Sequence, residues 1–250
     1  MNKLLIVFLF LSCGLHVISQ NRITNTSNNG WYSYLGNHRI AEKFLLHTEY
    51  QWRRADIVST WQQSLKRVGL EYKITDNVLV ANGYAYIATW PYGNQPALYT
   101  YGEHRLWQQL VVNQKIGRFY INHRYRMEER WLQNKVINKH QEYEHAYFVY
   151  RNRARYRFML TIPITHKELT NNSLFITVNN EAFVSFGKNV AKNIFDQNRL
   201  YGGIGLWVNN KTNVQVGYMY HTNIKPDAIQ VENNNNLLVA ITHHLNLFNN

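Results

Sequence analysis

Apolar and polar residues alternate with a period of two along most of the chain. The clearest stretch is Tyr147–Ile162, YFVYRNRARYRFMLTI. Arg151, Arg153, Arg155 and Arg157 take every second position, and Ala154, Tyr156, Phe158, Leu160 and Ile162 fall between or after them. Successive side chains of a strand point to opposite faces. The segment therefore predicts one long β-strand with a cationic face and an aromatic, apolar face. The same pattern recurs on both sides of it. Phe44, Leu46, Tyr50 and Trp52 oppose His47, Glu49, Gln51 and Arg53; Val68, Leu70 and Tyr72 oppose Arg67 and Glu71. Leu106 and Leu110 oppose Glu103, Arg105 and Gln109; Tyr125 and Met127 oppose Arg124, Arg126, Glu128 and Arg130. Leu174, Ile176 and Val178 oppose Thr177, Asn179 and Glu181, and Leu200, Ile204 and Leu206 oppose Arg199 and Tyr201. Val214, Val216, Tyr218 and Tyr220 alternate with Gln215, Gly217 and His221, and a last alternating segment runs from Val239 to Phe248. Val78–Trp90 is apolar on both faces and does not declare its register. No stretch of helical period interrupts the series.

These segments predict an all-β chain. About ten strands follow Ala41, Trp31–Leu35 adds a short aromatic one, and a further partner within Arg22–Ser27 would make twelve. Two architectures fit: a soluble sheet with its greasy face on a core, or a transmembrane barrel with that face toward lipid. Loop lengths favour the barrel. Thr75–Asn77, the region of Gly117, Thr165–Asn172 and Val208–Asn213 are short or turn-like, whereas Pro91–Gly102, Leu132–Glu144, Gly187–Gln197 and Asn223–Asn236 are long. Arg53–Thr60 fits the long set less well. Outer-membrane barrels sort short turns to one side and long loops to the other. The expectation is an antiparallel transmembrane β-barrel of about 10–12 strands over residues 31–250, after a flexible segment at 20–30. Its C-terminal strand, ending at Phe248, would engage the barrel-assembly machinery.

Residues 1–19 read as a secretory signal: Lys3, an apolar run from Leu4 to Leu11 extended through Val17 and Ile18, and the small Ser19. That run is too short to span a bilayer as a helix, which takes about 20 apolar residues. Cys13, the only cysteine, lies inside it. The net charge is +12, and +11 once Lys3 is removed, as no other charged residue falls within 1–19. The expected location is the outer membrane of a Gram-negative bacterium, in contact with outer-membrane lipid and lipopolysaccharide. Nucleic acid is not an expected partner, because the basic residues alternate with apolar ones instead of clustering in a stripe.

Several stretches resemble one family. WYSYLG at Trp31, HTEYQWR at His47, RYRF at Arg155, NNEAF at Asn179 and FDQNRLYGGIG at Phe195 are similar to the domain of unknown function 2490. The resemblance covers Trp31 to Phe248. It implies an exported Gram-negative protein with an outer-membrane β-barrel fold, and it carries over no activity and no catalytic residue.

Candidate chemistry centres on charge. One arginine facing lipid near the midplane costs roughly 2–4 kcal/mol. Four in a row would rival the whole stability of a domain, about 5–15 kcal/mol. If Tyr147–Ile162 spans a bilayer, its arginines face the lumen. The expected lumen network comprises Arg124, Arg126, Glu128, Arg153, Arg155, Arg157, Glu181, Arg199, Glu49 and Glu103. It reads either as a salt-bridge plug or as a site for an anionic small ligand. The expected role is structural, ligand-binding or narrow transport. A lipid or peptide hydrolase with a rim-located site is the alternative, although Ser64, Ser173 and Ser185 lack a nucleophile-elbow pattern. A soluble periplasmic β-sandwich binding module is a second alternative. The HQEYEH run, with His140, Glu142, Glu144 and His145, lacks HExxH spacing. No metal, cofactor or catalytic residue is assigned.

Overall fold

The computed structural model describes residues 22–248. The expected leader at 1–19 and Cys13 lie outside them. Eleven strands close into one barrel in the order β1-β11-β10-β9-β8-β7-β6-β5-β4-β3-β2, and the described residues include no helix. The strands are β1 (Ile23–Arg39), β2 (Phe44–Ala55), β3 (Thr60–Lys73), β4 (Val78–Thr89), β5 (Tyr101–Ile116) and β6 (Phe119–Ile137), followed by β7 (Tyr143–Pro163), β8 (Ser173–Phe186), β9 (Phe195–Asn209), β10 (Thr212–Ile224) and β11 (Gln230–His243). The sandwich alternative fails here: the sheet closes on itself, and Phe44, Phe158 and Ile204 point outward and are exposed.

Strand number explains an unforeseen feature. Each hairpin reverses the chain, so all odd-numbered strands run the same way. Closing β11 on β1 makes the seam parallel, over the pairs Ile23↔Gln230 to Gly36↔His243. Every other pairing is antiparallel. Ile23–Gly30, expected as a flexible segment, is the first half of β1. The polar run was unreadable because the seam is held by amides: the Asn29 amide donates to Asn234 Oδ1 at 2.9 Å, and both residues are fully buried.

The start of β1 and the end of β11 lie at opposite ends of the barrel. Residue 23 shares its end with connections 56–59, 90–100, 138–142, 187–194 and 225–229. The other end carries 40–43, 74–77, 117–118, 164–172 and 210–211. The first set holds longer loops, but less so than the sequence suggests. Much of Leu132–Glu144 and Asn223–Asn236 is paired strand: β6 and β7 continue pairing up to Ile137↔Tyr143, and β11 starts at Gln230. Beyond His243 the chain follows β1, with Arg39 N–H donating to Leu245 O and Leu247 N–H to Arg39 O, both at 2.8 Å. Phe248 lies beneath the Arg39 guanidinium at 5.5 Å.

The hydrophobic core is minor and lies inside the barrel. Leu65, Ala85, Ile87 and Trp107 form one buried group, and Trp31, Tyr201 and Met219 another. The first settles the register of β4. Ala85 and Ile87 face inward, and Gly83 faces Gly69 across the strand pair. Trp107 packs against the two glycines, where a Cβ on either would collide with its ring. The outer face is apolar and open: Val68, Leu106, Tyr125, Ile176, Leu200 and Ile204 are all exposed. A continuous cross-strand row, Tyr50–Lys66–Tyr86–His104–Trp131–Tyr150, crosses it from β2 to β7.

Candidate functional site

Strand alternation delivers arginine to the lumen from β2, β3, β5, β6, β7 and β9, and register sets which side chains stand opposite one another. Between β6 and β7, Glu128 stands opposite Arg153, but Arg124 faces Arg157, Arg126 faces Arg155 and Arg130 faces Arg151. Like charges directly opposite one another across a strand pair destabilise a sheet. Three of these cross-strand pairs are therefore unfavourable unless something else neutralises them.

Part of that neutralisation is built in. Glu128 is 1% exposed. It accepts from Arg153 Nε at 2.9 Å and Nη2 at 2.6 Å, and from Arg155 Nη1 at 2.6 Å. Glu181 Oε1 accepts from Arg155 Nη2 at 2.8 Å and Arg124 Nη2 at 2.7 Å. Glu103 holds Arg130 through Nε at 2.6 Å and Nη2 at 3.0 Å, and also pairs with Arg105. Glu49 pairs with Arg67 on the neighbouring strand. Asp196 accepts from Arg153 Nη1 at 3.1 Å. Charge-assisted, bidentate contacts of this kind are the strong class of hydrogen bond.

Five lumen arginines are left over. Among the described residues, Arg53, Arg126, Arg151, Arg157 and Arg199 have no carboxylate within 4.0 Å. Four of them make do with neutral partners. Arg126 donates to Gln109 at 2.6 and 3.1 Å, and Arg157 to Asn122 at 2.7 Å. Arg53 bonds Gln51 and Gln63, and Arg199 bonds Gln197 at 3.2 Å. Arg53 and Arg199 both pack on the Trp31 ring, at 3.7 and 5.0 Å. Donors remain unused: Nη1 of Arg126, itself only 2% exposed, and the Nε atoms of Arg151, Arg157 and Arg199 have no partner. A buried, unmatched charge is costly.

All five line one cavity of about 340 Å³ inside the barrel. Its walls also include the carboxylates of Glu49, Glu103, Glu181 and Asp196 and the apolar Trp31, Met159, Met219 and Leu238. At the end bearing connection 90–100 it is roofed by Tyr92, Asn193, Lys225 and Pro226. The 90–100 connection crosses the mouth: Tyr92 reaches Glu232 at 3.4 Å, and Lys225 Nζ donates to Gln95 O at 3.3 Å and pairs with Glu232 at 2.7 Å. Burial, with the Glu232 carboxylate beside it, pushes the Tyr92 phenol up, so it stays a neutral donor. Asp227 closes the 225–229 turn by accepting the Gln230 and Ile229 N–H groups at 2.9 Å each, and these bonds hold its carboxyl down.

Each of the ten expected network residues faces this interior. Glu128, Glu181, Arg153, Arg155 and Arg124 join in one network; Glu103 and Glu49 serve Arg130, Arg105 and Arg67. Arg126, Arg157 and Arg199, expected in the same network, have no acid within 4.0 Å. Asp196 was missed: β8 and β9 slip register between Phe183 and Val184, so the alternation read upstream of Arg199 does not reach it. Ser173 does meet a histidine, His166 Nδ1 at 3.2 Å. Its hydroxyl is fully buried and donates to Glu168 O at 3.0 Å, which marks a loop anchor and not an accessible nucleophile. No three His, Cys, Asp or Glu side chains gather in metal-binding geometry among the described residues.

Fold and lumen together define a closed, odd-stranded β-barrel with an arginine-rich, partly filled interior. Residues 28–232 match the family described as Protein of unknown function (DUF2490), and the chain belongs to that family. Comparison with curated proteins and with solved structures gave no match.

Proposed function

We propose that this protein is an outer-membrane β-barrel that holds a small anionic ligand in its lumen. The observation that carries the ligand reading is the set of five arginines that line one cavity and have no carboxylate partner within 4.0 Å. A protein that needed these charges only as a plug would gain by matching them, as it does around Glu128. The membrane location is supported by the exposed Val, Leu, Ile and Tyr side chains of the outer face. Such apolar area marks a surface that meets another phase or partner, here outer-membrane lipid and lipopolysaccharide. The Tyr50–Tyr150 row fits an interfacial girdle. On this reading the 90–100 end faces outward and the C-terminal segment ending at Phe248 is the part that engages the assembly machinery. The roofed mouth favours holding a ligand over free conduction.

Two measurements test the proposal. Fractionation should recover the protein in the outer membrane with heat-modifiable gel migration; recovery as a soluble periplasmic protein would end the location reading. Isothermal titration of the detergent-purified barrel with inorganic phosphate should show saturable binding that is lost at high salt. Lipid or peptide hydrolysis abolished by a single rim substitution would instead favour the hydrolase alternative.

A further inference from the structure

Apart from Arg151, the unmatched arginines fall into two groups on separate walls, with Glu181 between Arg157 and Arg199 in the strand register. Arg126 and Arg157 project from β6 and β7, while Arg53 from β2 and Arg199 from β9 converge on Trp31. Both groups line the same cavity. Taking the anion-holding lumen above as its basis, we propose that the site takes a compact multivalent oxyanion, one carrying two or more phosphate or carboxylate groups, and captures it at both arginine groups at once. A monoanion seated on one wall leaves the other wall's cations uncompensated in a low-dielectric interior, where unmatched charge is expensive. A ligand with two anionic ends relieves both. Guanidinium suits it, since its planar fork matches carboxylate and phosphate oxygens. Free donors exist for the contact on both walls: Arg126 Nη1 and Arg157 Nε on one, Arg199 Nε on the other. A cavity of about 340 Å³ accommodates a small polyanion and excludes a polymer.

Equilibrium titration at constant ionic strength, with pyrophosphate, citrate, inorganic phosphate and acetate as probes, tests this. Pyrophosphate or citrate should bind at least about tenfold more tightly than acetate. Which of the two binds more tightly assigns phosphate or carboxylate as the preferred group. The Arg126→Gln/Arg157→Gln and Arg53→Gln/Arg199→Gln doubles should each weaken the preferred polyanion about tenfold or more while leaving acetate within about threefold. Circular dichroism and heat-modifiable migration check that the doubles fold. Arg157→Gln alone, whose guanidinium holds only Asn122, serves where a double does not. Acetate binding as tightly as pyrophosphate and citrate would overturn two-wall capture and leave a lumen anion site standing. Polyanion binding that neither wall's substitutions alter would overturn the location in the lumen. Binding of none of the four would remove the lumen-anion reading and this inference together.

Discussion

Two arginine clusters share the lumen and are built differently. Around Glu128, Arg153 and Arg155 close on one carboxylate, which Arg105 also approaches at 3.8 Å, and Asp196 and Glu181 take up remaining donors. Around Trp31, Arg53 and Arg199 lean on an aromatic ring and bond only to glutamine amides. The same two-residue period put both sets inside. What separates them is side-chain reach as well as register: Glu181 is the cross-strand neighbour of both Arg157 and Arg199, yet its carboxylate is held by Arg124 and Arg155. The first cluster is a closed electrostatic unit that holds β5 to β8 together. The second, with Arg126 and Arg157, has no carboxylate partner within 4.0 Å, the counter-charge that the proposed anion would supply.

The largest effect that breaks this comparison is at the closed cluster. Glu128→Gln strips the shared carboxylate from buried arginines and should cost about 3–5 kcal/mol, read as a lower midpoint of denaturant unfolding in detergent. A smaller loss is expected at its edge. Asp196→Asn removes one charge-assisted bond to Arg153 and should cost about 1–3 kcal/mol by the same measurement. The smallest effect lies on the roof. The Asp227 carboxyl is held low by two backbone N–H bonds. Its contribution to the 225–229 turn is therefore present at neutral pH and fades as pH falls below about 4. Hydrogen exchange corrected for intrinsic rates should show the Ile229 and Gln230 amides losing protection at pH 3 while lumen strands keep theirs.

How much of this was legible in the sequence varies by feature. Which side chains face inward could be read from RNRARYRF and HTEYQWR, because a strand's period is fixed by its geometry. The seam could not, because TNTSNN carries no apolar alternation and is held by buried amides such as Asn29 and Asn234. Partner choice among the arginines was equally hidden. It depends on inter-strand register and on bulges such as that at Phe183/Val184, which no single strand's pattern encodes. Thus Arg157 stands opposite Glu181 on β8, yet the Glu181 carboxylate is occupied by Arg124 and Arg155.

Arg124 and Arg157 give the most direct test, because they face each other across β6 and β7 and differ in having an acid. Unfolding midpoints of Arg124→Gln and Arg157→Gln should be measured side by side without added multivalent anions. If the unmatched arginines form a site, Arg124→Gln loses about 1–3 kcal/mol with its Glu181 bond, and Arg157→Gln is as stable as the unaltered protein or more so. An equal loss in both would mean that Arg157 is part of the scaffold and would contradict the account.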